Sequence, residues 1–174
     1  MRLPGEPLLI SACLLGIACR YDGASRNTPD VRDFLNRHHL LPVPICPEQL
    51  GGLPTPRPPC QFCGGDGADL WHGTASLVSK DGRDLTSSFQ RGAREALKIA
   101  KLCGCRAALL KERSPSCGVR AVHCEGTLRA GAGVTAVLLR KAGLYTFSEE
   151  KLPEAELFMA KHQDFHLAVP EKTW

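Results

Sequence analysis

Short apolar runs along the chain are separated by longer amphipathic stretches. Residues 8–12 read Leu-Leu-Ile-Ser-Ala, a length that suits a buried strand. Thr28 and Pro29 then offer an N-cap and a first-turn proline, and apolar positions recur at helical spacing to His38. A strand that leads into a helix is therefore predicted for the first part of the chain.

The next apolar run, residues 41–45, contains Pro42 and Pro44. Each proline lacks an amide donor, and in an extended strand these two missing donors would point to the same side. The run is therefore predicted to be a short strand at an edge of the sheet. The proline- and glycine-rich stretch that continues to residue 67 is expected to be a long irregular loop.

Alternation of strands and helices continues in the second half. An Asp81-Gly82 step between residues 75–79 and 83–85 predicts a hairpin, and Thr86 or Ser87 is expected to cap the helix that follows. Further elements are predicted as a strand at 107–110, a glycine-rich loop up to residue 133, a helix at 134–142, a strand at 144–147 and a helix at 152–162.

This pattern predicts an α/β fold in which residues 1–174 form a single domain. We expect a three-layer sandwich with a Rossmann-like, mostly parallel sheet and an added β-hairpin. Neither a repeat nor a linker divides the chain. In such sheets ligands bind at the carboxyl ends of the strands, where loops lead into helices.

Composition narrows the function classes. The net charge is +4 without a basic block, which argues against a dedicated nucleic-acid binder. The first residues lack the apolar core of a secretory signal, and the chain has no run long enough to span a membrane, so a cytoplasmic location is expected. The nine cysteines are an odd number, which favours metal or reactive thiol roles over disulfides.

Three cysteines follow three of the predicted strands. Cys13 follows the first strand, Cys46 the second, and Cys117 lies in the turn after the strand at 107–110. Because the carboxyl ends of parallel strands meet at one edge of a sheet, these thiols are expected to converge. Three thiolates can hold a [4Fe-4S] cluster and leave one iron without a protein ligand. The alternative is that they are ordinary buried thiols.

Several motifs resemble the thiouracil desulfidase family, formerly a domain of unknown function. The similarity covers about residues 8–147 and leaves 148–174 as a C-terminal extension. The segments that carry it are 9–16, 19–23, 46–59 and 111–118, with shorter matches at 64–67 and 133–136. Each of the ligand candidates Cys13, Cys46 and Cys117 lies in one of the longer segments.

The resemblance implies that Cys13, Cys46 and Cys117 ligate a [4Fe-4S] cluster with one iron not ligated by protein. That iron would capture the sulfur of a thiolated nucleobase or related thiocarbonyl compound, and water oxygen would replace it without net electron transfer. Glu48 and Ser114 match the family's acid/base and hydrogen-bonding positions. Ser116 is the hydroxyl that competes with Ser114 for this role.

Residues around these positions have plainer alternatives. Residues 19–23 could line the same pocket, with Cys19 near the cluster but not a ligand, although a tight Asp22-Gly23 turn also explains them. Charged residues at 111–113 are expected to form an ion-pair cluster that shapes the pocket. His123 and Cys124 are expected in a surface loop.

A second class of function depends on Cys60 and Cys63, whose Cys-x-x-Cys spacing fits a zinc- or thiol-based redox sensor without catalysis. A four-cysteine zinc site would need a second pair, and Cys103 with Cys105 has an unusual one-residue gap. For the leading hypothesis, a small thiolated substrate is expected, with transfer RNA as the alternative. No membrane partner is expected, and the sequence does not specify an oligomeric state.

Overall fold

A computed structural model describes residues 5–162. Its strands are β1 Pro7–Ser11, β2 Leu41–Ile45, β3 Cys60–Cys63, β4 Ser76–Ser79, β5 Ala107–Leu110, β6 Ala121–Cys124, β7 Thr127–Ala130 and β8 Tyr145–Ser148. Its α-helices are α1 Pro29–Arg37, α2 Pro47–Leu50, α3 Gly67–His72, α4 Thr86–Leu102, α5 Val134–Lys141 and α6 Leu152–Lys161. Residues 163–174 of the predicted C-terminal extension lie outside the described residues.

The main sheet has the order β2-β1-β5-β8, and all three pairings are parallel. In its register Leu9 lies between Val43 and Ala108. Successive side chains of a strand point to opposite faces. Leu8 and Ile10 therefore pack with α1 and α6 on one face, while the other face packs with α4 and α5. The predicted three-layer α/β architecture is confirmed.

A second sheet has the order β4-β3-β6-β7 and packs against α3 and α4 around Phe62, Leu77 and Phe89. Its outer pairs are antiparallel, and the central pair, β3 with β6, is parallel. The helix α4 contributes to both cores, because its buried face continues from Phe89 to Ala100. This shared helix fixes the second sheet beside the carboxyl end of the main one.

The strand β2 lies at the edge of the main sheet, as its prolines predict. Pro42 is opposite Leu8 and Pro44 is opposite Ile10 in the ladder with β1. Since a proline cannot donate to a ladder, both prolines turn their nitrogens away from β1.

The hairpin expected around Asp81 is present in a short form: the Gly82 amide donates to the Ser79 carbonyl in the turn, and the Ser79 and Leu85 amides donate to the Arg83 and Leu77 carbonyls at 2.9 and 2.8 Å. Three other local predictions are wrong. Neither Thr86 nor Ser87 occupies the N-cap of α4; Leu85 does, and the Thr86 hydroxyl accepts the Leu77 amide. The two irregular regions are also partly ordered. The stretch that ends at residue 67 contains α2 and β3, and the glycine-rich loop before residue 133 contains β6 and β7.

Candidate functional site

A cavity of about 260 Å³ opens at the carboxyl ends of β1, β2 and β5. All five residues that the sequence analysis selected line it: Cys13, Cys46, Cys117, Glu48 and Ser114. The residues that line it are Ser11, Ala12, Cys13, Cys19, Arg20, Tyr21, Arg26, Ile45, Cys46, Pro47, Glu48, Arg57, Lys111, Glu112, Arg113, Ser114, Pro115 and Cys117. The parallel sheet thus brings together positions that are more than a hundred residues apart in sequence, such as Cys13 and Cys117.

Cys13 lies in a 3-10 turn that follows β1 directly, residues Ala12–Leu15. The turn ends at Gly16, whose φ of 93° is a left-handed conformation that glycine adopts readily. The amide of Arg26 donates to the Cys13 carbonyl at 2.8 Å, which fixes the turn against the returning loop. Cys13 is consequently buried at the floor of the cavity.

Cys46 immediately precedes α2, which also carries Glu48. This short helix packs on α4 at Gly92, where an added Cβ would lie 1.8 Å from the Pro47 carbonyl oxygen. Arg91 of the same helix donates to the Gly51 carbonyl at the other end of α2. Close backbone contact with α4 therefore sets the position of Cys46 and Glu48.

Cys117 lies in a tight loop after β5. The Ser114 hydroxyl oxygen accepts the amides of Ser116 and Cys117 at 3.2 and 3.1 Å. Amides at the start of α5 donate to the carbonyls of Pro115 and Ser116, and Gly133 permits this approach because a Cβ there would meet the Ser116 oxygen at 2.4 Å. The loop is thus held on two sides.

The two candidate hydroxyls face different environments. Ser114 lines the cavity, whereas the Ser116 hydroxyl is buried and shares a 2.8 Å hydrogen bond with Thr135. Ser11 also lines the cavity, and sequence reasoning missed it. Burial raises the pKa of Cys117 to about 12, and hydrogen bonds from Ser11 and Ser114 offset part of this rise. These hydroxyls favour the thiolate form that a metal requires.

Glu48 forms a buried ion pair with Arg57. The Arg57 Nε donates to Glu48 Oε2 at 2.6 Å, and the two side chains are only 5% and 13% exposed, respectively. Burial raises the pKa of the Glu48 carboxyl above its usual value, and Arg57 offsets part of the rise. Arg57 also donates to the carbonyl oxygens of Pro54 and Cys19, so it links three segments of the cavity wall.

Sequence reasoning assigned no role to Arg57, although it lies within the matched segment 46–59. The only local signal is an arginine fixed between two prolines, at Pro56 and Pro58. Proline fixes its own φ near −65° and restricts the residue before it to extended conformations. An arginine in such a segment projects from a stiff backbone, which suits a fixed ion pair.

The charged residues at 111–113 divide into two kinds of contact. Lys111 pairs with Glu149 at 2.6 Å and Arg113 with Glu150 at 2.7 Å, which ties the loop to the segment before α6. Glu112 is buried, and its Oε1 instead accepts backbone amides of the loop, including those of Val119, Arg120 and Ala121 at 2.9–3.1 Å. The expected ion pairs are present, but not with one another.

The loop at 19–23 supplies part of the cavity wall. Cys19, Arg20 and Tyr21 line the cavity, while Asp22 accepts from Arg20 at 2.9 Å and from the Ala24 amide at 3.1 Å. The turn explanation therefore accounts for Asp22. His123 and Cys124, expected in a surface loop, lie in β6, and Cys124 is buried in the core of the second sheet.

The model of the family described as 2-thiouracil desulfurase matches residues 8–151. This chain belongs to that 2-thiouracil desulfurase family. The predicted relationship to thiouracil desulfidases, and with it the prediction of an enzyme, is confirmed.

Two known proteins are similar to this chain over most of their length. The Bacillus subtilis (strain 168) uncharacterized protein YbbK is 40% identical over 148 residues, which are 83% of this chain and 97% of YbbK. The solved structure of the [4Fe-4S]-dependent thiouracil desulfidase TudS is 41% identical, with a TM-score of 0.76, and the match covers 90% of this chain and 99% of TudS.

The donor set of this 2-thiouracil desulfurase family member fits an iron-sulfur cluster. Cys13, Cys46 and Cys117 are free thiols on one cavity, and thiolates are the usual ligands of such clusters. A cubane takes one thiolate for each iron, so its ligands surround the cluster and do not converge on one point. Within residues 5–162, no three His, Cys, Asp or Glu side chains are arranged to hold a single metal ion.

The alternative function, a zinc- or thiol-based redox sensor, depends on Cys60 and Cys63. A structural zinc at Cys60 and Cys63 would need further ligands around one point, and no such group exists in the described part of the chain. Both cysteines instead line a neighbouring cavity of about 490 Å³. No helix in the same described range is long and apolar enough to cross a bilayer.

Proposed function

We propose that this chain binds a [4Fe-4S] cluster through Cys13, Cys46 and Cys117 and removes sulfur from a thiolated nucleobase or related small thiocarbonyl compound. The observation that carries the proposal is the shared cavity, in which three strand-end thiols meet the Glu48–Arg57 pair. Similarity to the [4Fe-4S]-dependent desulfidase TudS supports the same chemistry. The overall reaction exchanges C=S and H₂O for C=O and H₂S, so no electrons are gained or lost.

When bound, the cluster would supply a Lewis-acidic iron, without a permanent protein ligand, that binds the substrate sulfur and polarises its carbon. The protein residues do the remaining work. Glu48 accepts a proton from the attacking water, a role that suits a carboxyl whose pKa burial raises above its usual value. Arg57 holds Glu48 in place, and the Ser114 hydroxyl, which lines the same cavity, accepts the Ser116 and Cys117 amides and so fixes the loop that carries Cys117.

A small free substrate is proposed in preference to transfer RNA. The cavity is small, and two of the arginines that line it are already paired, Arg20 with Asp22 and Arg113 with Glu150. A nucleic acid would need several free cations to contact its phosphates. Sulfide release from thiouracil, a thiolated nucleoside and thiolated transfer RNA would test this choice. Equal rates on free base and transfer RNA would contradict it.

Iron analysis tests the cluster ligands. Protein reconstituted without oxygen is expected to contain about four irons per chain, as a [4Fe-4S] cluster requires. Replacement of Cys13, Cys46 or Cys117 by alanine is expected to abolish both iron binding and sulfide release from 2-thiouracil. Cys105→Ala is the matched control, because Cys105 is buried to the same 7% exposure as Cys13 but does not line the cavity.

Two results would overturn the proposal. One is wild-type protein that stays iron-free after anaerobic reconstitution, since the activity depends on the cluster. The other is full iron content in Cys117→Ala, since this would remove one of the three ligands from the assignment.

The role of Glu48 is tested separately: Glu48→Gln is expected to keep the iron and lose at least 100-fold in kcat, a typical contribution of general acid–base catalysis.

A further inference from the structure

An exposed aromatic side chain lines the cavity. Among the described residues that line it, Tyr21 is the only aromatic one, and it also lines the neighbouring cavity of about 490 Å³. Its 43% exposure contrasts with the burial of Cys13 and Cys117. A molecule whose sulfur atom lies beside these thiols would therefore extend its remaining atoms toward Tyr21 at the mouth.

The backbone of Tyr21 is held in a fixed turn. Its carbonyl oxygen accepts the Arg57 amide at 2.8 Å, which joins the turn to the segment that carries the partner of Glu48. The Gly23 amide donates to the Arg20 carbonyl at 3.0 Å and closes the turn, and the φ of Gly23 is 75°, a left-handed conformation. A tyrosine ring on such a turn has few rotatable bonds to order when it binds a ligand.

A cation orients the Tyr21 ring. The Arg20 guanidinium lies over this ring, 5.7 Å from its centre, and donates two hydrogen bonds, at 3.2 and 2.9 Å, to the Asp22 carboxylate. A cation within about 6 Å of an aromatic centre is attracted to the negative charge of the ring face. These contacts fix the ring without covering it, so packing within the fold does not account for an aromatic residue at this position.

We propose that Tyr21 selects the substrate by stacking on the flat face of its ring, so that planar, conjugated thiocarbonyl compounds bind in preference to non-planar ones. This inference rests on the proposed function and narrows its substrate class. Stacking requires a π face on the ligand, whereas the carbonyl and N–H groups of the ligand contribute separately through hydrogen bonds. The aromatic ring of Tyr21 is therefore required, and its hydroxyl is not.

Two sulfur-free ligands that differ in ring saturation test the stacking. Uracil is planar and conjugated, whereas dihydrouracil keeps the same carbonyl and N–H groups on a puckered ring. Their inhibition constants are measured against sulfide release from 2-thiouracil by the reconstituted protein. Wild type is expected to bind uracil about tenfold more tightly, an effect of the size that base stacking on an aromatic side chain produces. Tyr21→Phe should keep this ratio, and Tyr21→Ala should bring it close to one.

Tyr145→Ala is the matched control. Tyr145 is the other tyrosine of the chain, is 53% exposed and lies in β8 outside the cavity, so its replacement should keep the wild-type ratio. In Tyr21→Ala the loss should fall on KM for 2-thiouracil rather than on kcat, because stacking acts alike on bound substrate and transition state. A lower iron content in Tyr21→Ala would mean that Tyr21 acts through the fold of the cavity, which contradicts the stacking role.

Equal inhibition constants for uracil and dihydrouracil in wild type would overturn the inference, and this comparison does not depend on a variant folding. An unchanged ratio in Tyr21→Ala would overturn it as well. In both cases sulfide release by wild type leaves the proposed function intact. Wild type that binds no iron and releases no sulfide contradicts the proposed function itself, so the two failures are distinguishable.

Discussion

At the scale of single residues, Arg57 joins the Glu48 carboxylate to two backbone segments beside the cavity. One guanidinium group donates to the Glu48 carboxylate and to the carbonyl oxygens of Pro54 and Cys19. Removal of one partner from a buried ion pair leaves the other charge uncompensated, which costs more than the pair itself contributes.

Arg57→Gln is therefore expected to lower the free energy of unfolding by about 3 kcal/mol, as for other broken buried ion pairs. Urea denaturation of the metal-free protein measures this change. The double variant with Glu48→Gln should be more stable than Arg57→Gln alone, because it also removes the unpaired carboxylate. Simple additivity of the two single changes would show that the pair is not coupled.

The buried carboxyl of Glu112 makes the free energy of unfolding depend on pH. Burial acts to raise the pKa of this carboxyl, but hydrogen bonds from the backbone amides of Arg120 and Ala121 lower it below the usual value. A group with a lowered folded-state pKa stabilises above its unfolded pKa of about 4.3, and this stabilisation is lost as pH falls further.

Glu112→Gln is accordingly expected to be less stable than wild type by about 1 kcal/mol at pH 7, because the amide acceptor is uncharged. The difference should shrink below pH 4.3 as wild-type Glu112 takes up its proton. Thermal unfolding followed from pH 3 to 7 measures both quantities. A difference that stays constant over this range would contradict the assignment.

How far sequence could predict the site depends on the residue. Cys13, Cys46 and Cys117 were predictable because each follows an apolar run, and the ends of parallel strands meet in space. Arg57 and Ser11 were not, because their roles depend on partners that no periodicity reveals. Arg57 reaches Cys19 across 38 residues, and the Ser11 hydroxyl accepts an amide at residue 111.

At the scale of elements, the contact between α2 and α4 positions the helix that carries Glu48. Glycine in a helix interior normally costs about 1 kcal/mol relative to alanine. At Gly92 alanine should instead be less stable than glycine, because its Cβ would lie 1.8 Å from the Pro47 carbonyl oxygen.

Gly92→Ala is expected to displace α2, to lower the iron content on reconstitution and to destabilise the protein. Ser87→Ala, on the exposed side of the same helix, should leave both quantities unchanged. Iron analysis and urea denaturation of the two variants provide the comparison. A stabilised, fully loaded Gly92→Ala would disprove the close packing of the two helices.

The second sheet shows why the sequence does not predict every strand. The main-sheet strands β1 and β5 are buried almost throughout, so they stand out as apolar runs. In contrast, β7 is exposed at every position and β3 reads Cys-Gln-Phe-Cys, so neither has a distinctive pattern. Their pairing depends on partners far along the chain, such as β3 with β6.

At the scale of the whole molecule, the proposed cluster would join three strands of one sheet. Its ligands follow β1, β2 and β5, which are far apart in the sequence and separate when the chain unfolds. A ligand that binds only the folded state stabilises it by linkage.

Reconstituted wild type is therefore expected to unfold at a higher urea concentration than the metal-free protein, with both measured without oxygen. Cys117→Ala should show the same midpoint with or without the reconstitution treatment, since it cannot hold the cluster. Identical midpoints for loaded and metal-free wild type would mean that the cluster does not cross-link the sheet.

The two prolines of β2 also affect how copies of the protein can associate. With Pro42 and Pro44 directed outward, this edge offers carbonyl oxygens to a visiting strand but lacks the matching donors. An incoming strand would have to leave its own acceptors without partners. Addition of a further strand at this edge of the main sheet, next to the cavity, is thereby disfavoured.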